Sequence, residues 1–272
     1  MCNLMHFLVS GKYKRLLTLD KQMEILKLKI RQYQELVGER RIEWLEHSVV
    51  GKFVNFRKYD HDEVGLKEFL DDRGLLPVTS TLRWKDLTEE EQHILEPKNA
   101  FGRHILKFVP NRDNWASKDE LDEYKLRTKE QKVINLVGEW KEKKNEYTIL
   151  LKTWSWICLN SSQILASRDR FIDFGTVSLK LSDPVIDVTQ AFIKLGRERF
   201  KSVCKPDEEL TIEQGLQGYY SLKDVRNYRR MIGIQSRYYL MNMNEETRMR
   251  NMLENKQRRY SIIAQQINHH HP

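Results

Sequence analysis

Five cations between Leu222 and Leu240 are the residues whose type and spacing best fit a chemical task. Set on a helix at about 100° per position, Lys223, Arg226, Arg229, Arg230 and Arg237 fall within an arc of about 120°. Val225, Tyr228, Ile232 and Tyr239 collect on the opposite side, the side that would bury. The planar fork of Arg grips phosphate or carboxylate with two parallel hydrogen bonds, so a row of such groups suits a polyanion. Tyr219, Tyr220 and Tyr238 lie nearby and can stack on bases. The chemistry predicted is the holding of nucleic-acid phosphates, DNA or RNA. About five contacts imply a log–log salt slope near −4 to −5 on duplex DNA. The same stripe also suits an acidic protein surface.

Gly233 stands where a helix-turn-helix has its turn glycine. The position four before it is Arg229, where that motif needs a small side chain for the helices to cross closely, so the match is poor.

Other chemistry is thinly represented. No phosphate loop, dinucleotide glycine pattern, paired-histidine zinc spacing, Cys-x-x-Cys or nucleophile elbow occurs. Asp60-His61-Asp62-Glu63 is the densest group of metal-capable side chains. Consecutive residues diverge on a helix or a strand, so Asp62 reads better as a helix cap than as a ligand. Glu123-Tyr124-Lys125 has a nuclease-like spacing but falls in a predicted helix. His47, His93 and His104 are isolated, and His269-His270-His271 can take up a transition metal adventitiously. No cofactor and no resident metal are expected, and the reading leans away from an enzyme.

The elements that must carry the stripe are mostly helices. Only 12 Gly and 6 Pro occur in 272 residues, with 40% apolar and 32% charged side chains. Leu16, Leu19, Met23, Leu26, Ile30, Tyr33, Val37, Arg40, Trp44 and His47 repeat at steps of three and four with charged residues between them. That predicts a long helix, opened by Thr18 or Asp20 and stopped at Gly51. A second seam runs through Val133, Val137, Trp140, Lys144, Tyr147, Leu151, Trp154, Cys158, Ser161 and Leu165. Laid antiparallel, the two would set Trp44 beside Trp140 and Arg40 beside Lys144.

The expected fold is mainly α: a long antiparallel coiled-coil hairpin with a small inserted α+β head and a C-terminal helical module. Residues 1–51 and 117–170 would form the two rods, and 52–116 the head. In the head, a helix over Asp62–Asp72 buries Val64, Leu66, Phe69 and Leu70, and a strand runs along Val78, Ser80, Leu82 and Trp84. A capping box at Thr88–Glu91 and a strand at His104–Val109 complete it, the two strands pairing antiparallel. Residues 171–205 read as a strand from Phe171 to Ser182 and one helix capped by Asp183, with Val185, Val188, Phe192, Leu195 and Phe200 inward. Residues 206–272 form the basic module, with a linker at Lys205–Glu209 and helices at 211–218, 222–241 and 245–265, opened by Thr211, Ser221 and Asn244.

Charge supports a polyanionic partner for the ends. Residues 1–60 hold 12 basic and 7 acidic side chains, 211–272 hold 10 and 5, while 61–127 hold 11 and 15. Cys2, Cys158 and Cys204 are scattered, as in a reducing compartment, and no apolar run is long enough to span a membrane. The expectation is a cytoplasmic, non-enzymatic nucleic-acid-binding or regulatory protein, with no membrane partner and pairing across a homodimer open to the rods. The alternative is an adaptor or scaffold whose basic stripe meets an acidic protein.

Overall fold

Gly38 decides where the first long helix ends. Its backbone is left-handed at φ 78°, and its N–H returns to the carbonyls of Gln34 and Glu35, closing the helix at Val37. This computed structural model describes residues 4–95, 104–160, 173–181 and 184–268.

Among the described residues the elements in chain order are α1 (Leu4–Val9), α2 (Lys12–Val37), β1 (Arg41–Trp44), β2 (Val49–His61), α3 (Glu63–Asp71), α4 (Leu76–Thr79) and β3 (Ser80–Thr81). There follow α5 (Glu89–Ile94), β4 (His104–Pro110), α6 (Lys118–Arg127), α7 (Val133–Asn160), β5 (Gly175–Leu181), α8 (Val188–Leu195) and α9 (Arg197–Val203). The chain closes with β6 (Lys205–Pro206), α10 (Glu208–Leu216), α11 (Leu222–Arg226), β7 (Arg229–Asn242) and α12 (Met243–Asn268). The fold is mainly α, and among the described residues no helix is long and apolar enough to cross a membrane.

Two compact units share the chain. The first comprises 1–54, 103–182 and 236–247; the second comprises 55–102, 183–235 and 248–272. In the first, α2 and α7 lie side by side and antiparallel. Arg15 donates from Nε and Nη2 to Glu146 at 2.7 and 2.6 Å, and Lys143 Nζ donates to Gln22 Oε1 at 2.8 Å, so partner numbers fall as α2 advances. Met23, Leu26, Ile30, Val49, Leu136, Val137, Tyr238 and Leu240 form the core around this pair. A second core joins Leu4, Phe7 and Leu8 of α1 to Ile157 of α7 and to Leu106, Phe108 and Val177 of the antiparallel strands β4 and β5.

The rod expected to reach Gly51 ends instead at Val37. Burial along α2 passes from Ile30 to Gln34, as in a straight helix, while Tyr33 is 41% and Val37 50% exposed. Thr18 is buried inside α2, which starts at Lys12 behind Gly11. Arg40 lies outside any helix, Trp44 sits on β1 and His47 in a 3₁₀ turn. Trp44 and Trp140 do share one core, but Trp44 reaches it from a strand paired with β2. Lys144 is within 3.7 Å of Glu245, so no Arg40–Lys144 layer forms.

Among the described residues the strands form three sheets, ordered β1-β2-β7, β3-β6 and β4-β5. The predicted head is therefore divided. Its strand at His104–Val109 pairs with β5, and the predicted strand from Val78 to Trp84 is instead α4, the two-residue β3 and a 3₁₀ turn. Pro77 at the start of α4 suits a helical first turn, which the alternation of Val78, Ser80, Leu82 and Trp84 concealed.

The second unit is built on Phe69, Leu70, Leu75, Leu76, Phe200 and Tyr220, among others. Asp62 caps α3 by accepting from Gly65 N at 2.9 Å, and Thr88 with Glu91 forms the expected capping box of α5. Val64 points outward at 67% exposure, contrary to expectation, because α3 turns only Leu66, Phe69 and Leu70 toward the core. The single helix expected to carry Val185 through Phe200 is broken by Gly196 (φ 76°) into α8 and α9, with Asp187 as the first cap and Val185 exposed. Lys205–Glu209 is no linker: Lys205 and Pro206 pair with β3, and Asp207 caps α10. Asn244 likewise lies inside α12, which starts at Met243. Cys2, Ser161, Leu165, Phe171, Ser182, Asp183 and His269–His271 lie outside the described residues.

Candidate nucleic-acid interface and cavity

Residues 222–241 are not one helix. Ser221 caps the short α11, and from Arg229 the chain is the strand β7. The segment is rich in Ile and Tyr, whose branched or bulky side chains fit a pleated surface, and Gly233 weakens a helix there. The helical arc of five cations is therefore dispersed. Lys223 and Arg226 stand exposed on α11, while Arg229 and Arg230 are neighbours on β7 and so face opposite sides. Arg237 belongs to the first unit and the other four to the second.

The proposed stacking tyrosines divide too. Tyr219 is exposed, but Tyr220 and Tyr238 are buried in core clusters and cannot meet a base. Tyr220 donates its hydroxyl to the Thr211 carbonyl, and burial pushes its pKa up to about 12. The hydroxyl of Tyr238 is raised as well, chiefly by burial.

In their place the fold brings forward residues of β2. Met243 N donates to Ser48 O and Asp62 N to Tyr228 O, so β2 and β7 run antiparallel, start against end. Within the second unit the ribbon consists of 55–61 and 229–235. The Arg229 guanidinium lies 5.0 Å from the Tyr59 ring centroid, and Tyr59 packs edge-on to His61. These three define one face, and alternation adds Arg57 to it. The other face carries Phe56, Lys58, Arg230, Ile232 and Ile234, the two isoleucines being 63% and 60% exposed. Arg57, Lys58 and Arg230 are exposed and have no ion-pair partner among the described residues. Their signal in the sequence was the run Phe56-Arg57-Lys58-Tyr59, basic residues set between aromatics outside the helical window.

The face of Arg229 and His61 leads to a cavity of about 480 Å³ in the second unit. Its walls are apolar: Leu66, Ile212, Leu222, Val225, Tyr228 and Tyr260. Arg226, Arg229, His61, Glu63 and Glu208 also line it. Arg229 Nη1 is 3.5 Å from Glu208, whereas Arg226 has no ion-pair partner among the described residues. The Asp60–Glu63 cluster thus separates, with Asp62 capping α3 and His61 and Glu63 lining the cavity. Among the described residues no three metal-capable side chains converge. Glu123-Tyr124-Lys125 lies in α6, where Tyr124 donates to Glu139 and Lys125 to Asp122. The arginines and lysine of α12 are partly neutralised, Arg259 by Glu213 at 2.7 Å and Lys256 by Glu209.

No protein-family model, curated protein or solved structure matches the chain.

Proposed function

We propose that this is a non-enzymatic nucleic-acid-binding protein that holds phosphates with the β2–β7 ribbon of its second unit. The observation carrying this reading is the set of exposed, unpaired cations Arg57, Lys58 and Arg230 on a two-stranded antiparallel ribbon. A two-stranded ribbon is narrow enough to enter the major groove of B-DNA, where the strands present side chains to phosphates on the rims and to base edges between. Phe56, Ile232 and Ile234, which share a face with Lys58 and Arg230, offer apolar contact to thymine methyl groups. Arg229, held by Glu208 and Tyr59, orients the ribbon's base and is not counted among the phosphate ligands.

Ile232 and Ile234 favour a second reading. Exposed apolar side chains beside cations also suit an acidic protein partner with an apolar centre, which is the adaptor alternative.

Titration of a labelled duplex oligonucleotide at several salt concentrations separates the two. Three phosphate contacts give a log–log slope of about −3. Joint replacement of Arg57, Lys58 and Arg230 by Ala should bring the slope close to zero, while Arg226→Ala leaves it unchanged. Absence of binding at low salt retires the nucleic-acid reading in favour of the protein partner.

A further inference from the structure

We propose that the cavity of the second unit binds a small carboxylate with an apolar body, such as an aliphatic acid, its chain on the cavity wall and its carboxylate on Arg226. This goes beyond nucleic-acid binding and does not depend on it, since Arg57, Lys58 and Arg230 do not line the cavity.

Size and lining come first. A volume of about 480 Å³ falls in the range of small-molecule sites, and apolar walls with a few polar groups are their usual composition. Leu66, Ile212, Leu222 and Val225 are all partly exposed, so their apolar surface is left to be covered. A hydrocarbon chain laid there leaves water, and its burial is the favourable term.

The charges of the lining select the head group. Glu63 and Glu208 each occupy the first position of a nine-residue helix, α3 and α10, the end at which the helix dipole favours a negative charge. Glu208 additionally faces Arg229. Arg226 differs: it ends the five-residue α11, too short to provide a comparable dipole, and it has no ion-pair partner among the described residues. Arg226 is therefore the guanidinium of the lining left without a carboxylate among the described residues, and its fork matches one brought by a ligand. Tyr260 closes the wall with its ring.

Calorimetric titration of the full chain with decanoate, 1-decanol and decylammonium, each below its micelle threshold, tests the assignment. Decanoate should bind about tenfold or more tightly than either of the others, as expected of a charge-assisted pair. Arg226→Gln should abolish that preference and leave decanol binding unchanged, and Arg226→Lys should restore part of it. Ile212→Trp should fill the hollow and suppress all binding. Should that variant fail to fold, the exposed position of Arg226 keeps the Gln and Lys variants decisive. The proposal is overturned by a lack of decanoate binding, by decanol or decylammonium binding as tightly as decanoate, or by an Arg226→Gln protein with undiminished decanoate affinity.

Discussion

The buried Gln34 side chain donates from Nε2 to the carbonyl oxygen of Gly51 at 3.1 Å, tying the last turn of α2 to the start of β2. The same amide donates to Glu39 O at 3.0 Å. The helix end, the turn after it and the first residues of β2 are thus held by one side chain in the core of the first unit.

A Cβ on Gly51 would stand 2.5 Å from Gln34 Oε1, 2.5 Å from Tyr238 Oη and 3.0 Å from the Trp44 ring. None of these buried groups can retreat without disturbing the packing around it. Gly51→Ala should therefore destabilise the protein by about 1–3 kcal/mol in urea unfolding. Gly233, which would meet nothing within 4 Å, is the control, and Gly233→Ala should change stability by no more than about 0.5 kcal/mol.

Leu26 and Val37 occupy equivalent places in the leucine repeat and different places in the fold. Leu26 is fully buried between α2 and α7, whereas Val37 is half exposed at the helix end. Leu26→Asp places an unpaired charge in the core and should cost about 4 kcal/mol or more. Val37→Asp should cost well under about 1 kcal/mol. Equal losses in thermal or urea unfolding would mean that the heptad seam, with Val37 in it, is buried throughout.

Arg199 Nε and Nη2 reach the two carboxylate oxygens of Glu91 at 2.5 and 2.9 Å. That guanidinium, helped by the Thr88 N–H and opposed by burial, lowers the Glu91 pKa to about 2. A carboxyl depressed in the folded state stabilises it above the unfolded value of about 4.5, and the contribution disappears as pH falls from there to about 2. Arg199→Ala should remove this part of the acid sensitivity, so that the variant and the parent converge in stability near pH 2. A gap that persists undiminished at pH 2 would contradict the assignment.

Burial pushes the Cys158 thiol up to about 11 and raises that of Cys204. Two units above the ordinary value means about a hundredfold less thiolate for Cys158 at pH 8. In a Cys2→Ser protein, native thiol labelling should therefore be slow until denaturant is added. Rapid native labelling of Cys158 would show its surroundings to be more open.

By itself the sequence determined what depends on near neighbours. Asp62, Thr88 and Ser221 announced their helix starts because a cap is satisfied within three residues. The apolar repeats of Leu16–Ile30 and Val137–Trp140 marked two helices that do lie together, because a period of about 3.6 fixes which face buries. The period could not tell where the face stops, and Gly38, a single left-handed residue, ended it ten positions before His47. For Arg229–Leu240 both periods were open: the arginines suggested a helical stripe, and pairing with β2, a strand about 170 residues earlier in the chain, made the segment extended. Only tertiary structure sends Arg229 and Arg230 to opposite faces, withdraws Tyr220 and Tyr238 into cores, and brings Arg226 and His61 into the lining of one cavity. Those outcomes rest on contacts between distant segments, and no local spacing encodes them.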